Sequence, residues 1–139
     1  NLYKKYHGFL INILDKLNST KTKFYDYTYI GISSTGRDFK STIHDDASWK
    51  LLSVVIYIYP QHNEGTKVYQ ADQNLGWLRS QKVNGPFEIY WEENKAFIFS
   101  RKKGFTPHSY SSNGIDTRHT VTFNLCSNVD PKEIDEAER

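Results

Sequence analysis

The chain has one cysteine and no methionine in 139 residues. The single thiol, Cys126, excludes an internal disulfide and a cysteine-rich zinc site, and it favours a reducing, cytoplasmic setting. Because methionine is absent, we expect that Asn1 is not the natural first residue. No apolar run approaches the roughly 20 residues of a membrane span, so no membrane partner is expected.

A strong excess of charge is also missing. The chain carries 18 basic and 16 acidic residues, a formal net charge of +2, which argues against a nucleic-acid partner. Aromatic side chains are abundant instead, with ten Tyr and eight Phe, and this favours β-structure. The length suits one domain around one core, so residues 1–139 are expected to form a single unit.

Helical patterns occur near both ends of the chain. Residues 1–20 predict an amphipathic helix that packs on one sheet. The apolar positions of this helix are Leu2, Tyr6, Phe9, Leu10, Ile13 and Leu17. A polar break is predicted from Asn18 to Lys23. At the other end, Asp130-Pro131-Lys132-Glu133 fits an N-cap followed by a short or truncated helix over residues 130–139.

Strand patterns dominate residues 24–125. The strongest covers Leu51 to Tyr59, where one face is aliphatic and the other ends in polar tips. This predicts one face on a packing layer and the other on an interior cavity. Asn84-Gly85 indicates a hairpin turn. Further strands are predicted at Phe24–Ile32, Phe39–His44, Thr66–Tyr69, Phe87–Trp91, Ala96–Phe99 and Arg118–Leu125. Short strands without βαβ alternation indicate a mainly β, jelly-roll or barrel-like double sheet.

Two histidines and one carboxylate form a candidate metal site. On a strand, residues i and i+2 share a face, so His44 and Asp46 point together while Asp45 points elsewhere. His108 follows a predicted buried strand and can supply the third ligand. This set suits a facial Fe(II) centre with open positions. Surface or structural positions are expected for the other three histidines, His7, His62 and His119.

The last strand adds a candidate anion clamp. Arg118 lies on its polar face together with Thr120, and an interior guanidinium is costly unless its charge is paired. Tyr57 lies on the polar-tipped face of the longest strand. An arginine and a tyrosine hydroxyl together would bind a carboxylate well. A surface salt bridge for Arg118 and an ordinary core hydroxyl for Tyr57 are the alternatives.

Four segments together resemble the Fe(II)/2-oxoglutarate-dependent dioxygenases, most closely the prolyl-4-hydroxylase-like branch. The resemblance extends from about Phe39 to Leu125. IHDDASWKLLSVVIYIYP is similar to the H-x-D motif with the core strand that follows, and EGTKVY to the next strand. KAFIFSRKKGFTPHSY is similar to the segment with the distal histidine, and DTRHTVTFNL to the strand with the cosubstrate arginine.

The resemblance implies a single oxygenase domain whose double-stranded β-helix, a jelly-roll or cupin-like barrel, spans residues 24–125. It implies Fe(II) bound by His44, Asp46 and His108. Arg118 would pair with the distal carboxylate of 2-oxoglutarate, Tyr57 would hydrogen-bond that carboxylate, and Thr120 would flank it. A carboxylate at Asp46, where halogenases of the family have a small residue, indicates hydroxylation.

The expected reaction is hydroxylation of a C–H bond with consumption of O₂ and release of succinate and CO₂. The substrate would be peptidyl, with proline as one option, or a small molecule. A nucleic-acid dealkylase with the same iron site and a non-catalytic cupin-like or sugar-binding jelly roll are the alternatives. Candidate residues for the cavity mouth are Trp49, Trp77, Trp91, Phe105 and Arg101-Lys102-Lys103.

Overall fold

The computed structural model describes residues 2–70 and 84–138. Two helices and seven strands lie within these ranges. The helices are α1 (Leu2–Thr22) and α2 (Pro131–Ala137). The strands are β1 (Tyr27–Thr35), β2 (Lys50–Tyr59), β3 (Thr66–Gln70), β4 (Asn84–Ile89), β5 (Ala96–Phe99), β6 (His108–Tyr110) and β7 (Arg118–Cys126). None of the helices in the described ranges is long and apolar enough to cross a membrane.

The strands form two antiparallel sheets. The larger has the order β1-β7-β2-β5 and the smaller has the order β4-β3-β6. Two isolated bridges, Lys40 with Ser111 and His44 with His108, attach residues 40–44 to β6. The mainly β prediction is therefore confirmed, and the arrangement is consistent with a β-sandwich. The two sheets are not closed into a barrel in the described residues.

The hydrophobic core lies between the outer face of the larger sheet and the two helices. The predicted aliphatic face of β2 supplies Leu52 and Val54, both buried, while Ile58 at its end is exposed. β7 adds Phe123 and Leu125. The helices contribute Leu10, Leu14 and Ile134. Full burial of one such side chain contributes about 1.5–3 kcal/mol, so this face fixes the orientation of β2 and β7 and turns their polar faces inward.

Helix α1 departs from its predicted pattern in two ways. Leu10 is buried as expected, but Leu14 completes the contact with the sheet, and Phe9 is 59% exposed. The helix also continues through the predicted polar break to Thr22, with a non-helical residue at Asn18. The reason is a tertiary contact that the local pattern does not contain. Lys21 is fully buried, where its ammonium group pairs with Glu138 of the C-terminal segment.

The turn predicted at Asn84-Gly85 is wrong. Asn84 pairs with Gln70 as part of β4, beside a register shift in β3. Gly85 has a φ of +123°, so it provides the backbone conformation needed at this irregularity and not at a turn. The predicted strand at Phe39–His44 is reduced to the two isolated bridges. Trp77 lies outside the described residues.

A buried group of charges fixes α2. Asp130 caps this helix as predicted, its carboxylate accepting from the Lys132 N–H at 2.8 Å. Arg101, only 3% exposed, lies 2.6 Å from Asp135 and does not line the cavity, so its prediction as a residue of the cavity mouth is wrong. Burial favours a higher pKa for Asp135, but hydrogen bonds from Lys103 and Arg101 outweigh it and lower the pKa to about 2.

We predict that Arg101→Met destabilises the protein by about 3 kcal/mol, because buried carboxylates lose a cationic partner. Urea unfolding followed by circular dichroism measures this difference. Lys102→Met is the matched control, since the Lys102 side chain is exposed and its ammonium group lies over the ring of Phe105. Equal unfolding midpoints for the two variants would contradict a structural role for Arg101.

Candidate metal centre

The three predicted metal ligands lie close together in space. His44, Asp46 and His108 each offer one ligand atom, and these atoms lie within 4.8 Å of one another. His44 and His108, 64 residues apart in sequence, exchange two backbone hydrogen bonds of 3.0 and 2.9 Å. Their rings lie 4.6 Å apart. A His-Asp-His group with the spacing of a metal site is therefore present.

Both imidazoles make the same kind of hydrogen bond to the backbone. Nδ1 of His44 lies 2.9 Å from the carbonyl oxygen of Thr42, and Nδ1 of His108 lies 3.0 Å from that of Thr106. A carbonyl oxygen only accepts, so each Nδ1 carries the proton and donates. Each Nε2 then keeps its lone pair, which is the form of the ring that binds a metal.

Burial also favours a neutral ring at His108. It lowers the pKa of this imidazole, and this effect outweighs the hydrogen bond to Thr106 and the charge of Asp46, which both raise it. The ring of Phe99 packs edge-on against His108 at 5.1 Å. A neutral imidazole is the form that can act as a ligand near pH 7.

Both oxygens of Asp46 are held by donors. Lys50 Nζ lies 2.8 Å from Oδ1, and the Ser53 hydroxyl lies 2.5 Å from Oδ2. Burial favours a higher pKa for Asp46, but these two hydrogen bonds and the Lys50 charge lower it overall. Asp45 points away, as alternation predicts, and accepts from the backbone N–H of Gly104 at 2.7 Å. Asp46 is thus charged and oriented while Asp45 is engaged elsewhere.

The three candidate ligands line a cavity of about 450 Å³ between the two sheets. This is within the size range of small-molecule sites in proteins. The polar face of β7 forms one wall. Its members are Arg118, Thr120, Thr122 and Asn124. The cavity therefore joins a candidate metal site to a row of polar side chains.

Arg118 is a buried cation that has no acidic partner among the residues described. It is 3% exposed, and it forms no ion pair with any acidic group in residues 2–70 and 84–138. Its Nε has no hydrogen-bond partner there either. The rings of Trp91 and Tyr110 flank the guanidinium carbon at 4.8 and 4.7 Å. A buried guanidinium is costly unless its charge is paired, and the cavity gives an anion access to Arg118.

Tyr57 and Thr120 have different positions beside this arginine. Tyr57 is fully buried and stacks on Trp91. Its hydroxyl donates to the Thr66 hydroxyl at 2.8 Å and accepts from the Thr66 N–H at 3.2 Å. The cavity wall formed by the described residues includes Thr120 and Thr66 but not Tyr57. Tyr57 therefore supports the guanidinium from behind, and Thr66 presents a hydroxyl to the cavity.

Sequence reasoning missed Thr66 and Tyr110 as lining residues. Tyr110 had a usable signal, because it lies two residues after His108 and shares its face on β6. The residues at the mouth of the cavity were predicted less well. Trp49 lines the cavity, but Trp91 is buried behind Arg118, where its indole N–H donates to Pro60 at 2.6 Å. Phe105 lies at a second groove, between β3 and β4.

The donor set determines which ions the site can take. Two neutral imidazoles and one carboxylate suit Fe(II), and such a facial set leaves about three coordination positions for other ligands. Scans against protein-family models and against curated proteins give no match to this chain.

We predict that the protein binds one equivalent of Co(II), used as a stable substitute for Fe(II). Asp46→Asn and His108→Ala should each weaken binding at least about 100-fold, because each removes a direct ligand. Isothermal titration calorimetry measures the affinity. Asp45→Asn and His119→Ala are the matched controls and should bind as the unmodified protein does. Similar losses in Asp45→Asn and Asp46→Asn would contradict the assignment.

Proposed function

We propose that this protein is an Fe(II)- and 2-oxoglutarate-dependent dioxygenase that hydroxylates a C–H bond. The observation that carries the proposal is a single cavity lined by both the His-Asp-His group and the buried Arg118. A metal alone would need only the three ligands. The additional cation without an acidic partner indicates a cosubstrate with a carboxylate distant from its metal-binding end.

The strand order supports a double-stranded β-helix. If the bridged residues 40–44 count as a strand, residues 2–70 and 84–138 contain eight strand segments. In chain order the larger sheet is then 1-8-3-6 and the smaller layer is 5-4-7-2. Eight segments in two four-membered antiparallel layers are the pattern of a jelly roll. His44 lies on segment 2 and His108 on segment 7, which are neighbours in the smaller layer, and Asp46 follows segment 2.

The residues fit the implied metal. Both imidazoles are held by backbone carbonyls with Nε2 available, and Asp46 is oriented by Lys50 and Ser53. With 2-oxoglutarate and O₂, bound Fe(II) supplies oxidative decarboxylation coupled to C–H hydroxylation. The overall reaction converts 2-oxoglutarate, O₂ and R–H into succinate, CO₂ and R–OH.

Binding of the distal carboxylate falls to Arg118 and its neighbours. The guanidinium supplies fixed N–H donors, while Thr66 and Thr120 place hydroxyls along the same wall. The aromatic rings behind the guanidinium exclude water, and hydrogen bonds to a charged group are stronger where water is absent. Tyr57 keeps the Thr66 hydroxyl in place. The chain thus supplies a charge that binds the carboxylate, hydroxyl groups that orient it and aromatic rings that exclude water.

An apolar wall protects the metal side of the cavity. Phe97 and Phe99 of β5 stack at 4.9 Å, and both line the cavity next to His108. These rings present no hydrogen-bonding group to water near the ligands. Exclusion of water limits side reactions of a strong oxidant, which is the role that we assign to β5.

We predict that the protein loaded with Fe(II) releases succinate from 2-oxoglutarate even without its substrate. His108→Ala should lower this rate to background, because a metal ligand is lost. Succinate formation under air, measured by NMR, provides the test, with His119→Ala as the control. Unchanged turnover in His108→Ala would sink the proposal. Metal binding without any turnover would instead favour the non-catalytic jelly-roll module.

We also predict a specific role for Arg118 in cosubstrate choice. The unmodified protein should bind 2-oxoglutarate on the order of 100-fold more tightly than 2-oxopentanoate, which lacks the distal carboxylate. Arg118→Met should abolish this preference while Co(II) still binds. Calorimetry on the Co(II)-loaded protein measures both affinities. Arg37→Met is the control, since Arg37 is exposed and its guanidinium pairs with the exposed Asp38. A preference that survives in Arg118→Met would refute the clamp.

A further inference from the structure

Asn124 has a buried polar side chain with no assigned role. It is 5% exposed and lines the cavity from β7. Within the part of the chain that the structure describes, its carboxamide has no hydrogen-bond partner. Its neighbour on the same face, Thr122, donates to the carbonyl of Gly31 at 3.4 Å. The carboxamide is not among the fully enclosed polar groups that lack a partner, so it faces the cavity, where water or a ligand that displaces water can hydrogen-bond to it.

The strand register places Asn124 beside the metal ligands. On one side it pairs with Ser53, whose hydroxyl holds Asp46. On the other side it pairs with Tyr29 of the edge strand β1, which is 52% exposed. Arg118 lies six residues away along β7, at the opposite end of the polar face. Asn124 therefore lies between the metal ligands and the open edge, away from the carboxylate clamp.

We propose that Asn124 determines substrate specificity by pairing with an amide group of a peptidyl substrate, an inference that rests on the proposed function. A carboxamide presents an N–H donor and a carbonyl acceptor in one plane. A peptide group presents the matching acceptor and donor. Two hydrogen bonds of this kind would satisfy Asn124 and place the neighbouring side chain of the substrate next to the metal ligands.

The charges around Asn124 favour an amide over an acidic metabolite. The cation on this side of the cavity is Lys50, and its ammonium group is paired with Asp46 at 2.8 Å. The cation without an acidic partner, Arg118, lies at the other end, where the proposed cosubstrate would occupy it. The neutral carboxamide of Asn124, with its N–H donor and carbonyl acceptor, is thus the group that remains to bind the substrate.

The test uses protein loaded with Zn(II) and 2-oxoglutarate, which binds substrate without turnover. The probes are the N-acetyl, N-methylamide forms of the twenty amino acids, compared with the corresponding free amino acids by calorimetry. At least one capped form should bind 10-fold or more tightly than its free counterpart. Asn124→Leu and Asn124→Ala should weaken that binding at least 10-fold. Asn128→Leu, the same change at an exposed asparagine, should not.

Thermal unfolding separates a binding role from a structural one. Because Asn124 has no partner in the described residues, its replacement should not lower the midpoint. The inference is overturned if no capped form binds, if both variants bind it normally, or if both variants lose Zn(II) binding and thermal stability together. A failure of the proposed function is a different result, because the unmodified protein would then release no succinate with Fe(II).

Discussion

The backbone bridge between His44 and His108 is the constraint on which the candidate site depends. Two hydrogen bonds join a segment that has little other strand structure to β6, a strand of three residues. The pairing places two imidazoles side by side, and each ring is then aligned by the carbonyl two residues before it. Backbone geometry therefore brings the candidate ligands together, and the hydrogen bonds at Nδ1 leave Nε2 of each imidazole unprotonated.

Two arginines of equal burial differ in how their charge is compensated. Arg101 and Arg118 are each 3% exposed. Arg101 is compensated by Asp135 and Glu138, and the result is a docked helix. Arg118 has no acidic partner among the described residues, and the rings of Tyr57, Trp91 and Tyr110 flank its guanidinium. Leaving a buried charge uncompensated is destabilising, so the second arrangement makes physical sense where a ligand supplies the missing anion.

Period-two alternation explains most of what the sequence could predict. It separated Asp46 from Asp45, and it placed Arg118 on the inner face of β7 and Leu52 on the outer face of β2. It did not reveal that the second sheet covers Tyr57, because alternation assigns a residue to a face and does not show what packs on that face. The Thr66 hydroxyl, on that second sheet, accepts a hydrogen bond from the Tyr57 hydroxyl, and the local sequence does not encode such a contact.

Long-range contacts account for the other misses. The local pattern ends α1 before Lys21, yet burial of that lysine against the C-terminal segment keeps the last turn helical. The same logic applies inside the cavity. Asn124 reads as one more polar residue in an alternating strand, and only its burial without a partner distinguishes it from Thr122. If Arg118 binds the cosubstrate at one end, the geometry leaves the Asn124 end for substrate. The Arg118 end of the polar face of β7 would then recognise the cosubstrate by charge, and the Asn124 end would recognise the substrate by hydrogen bonds.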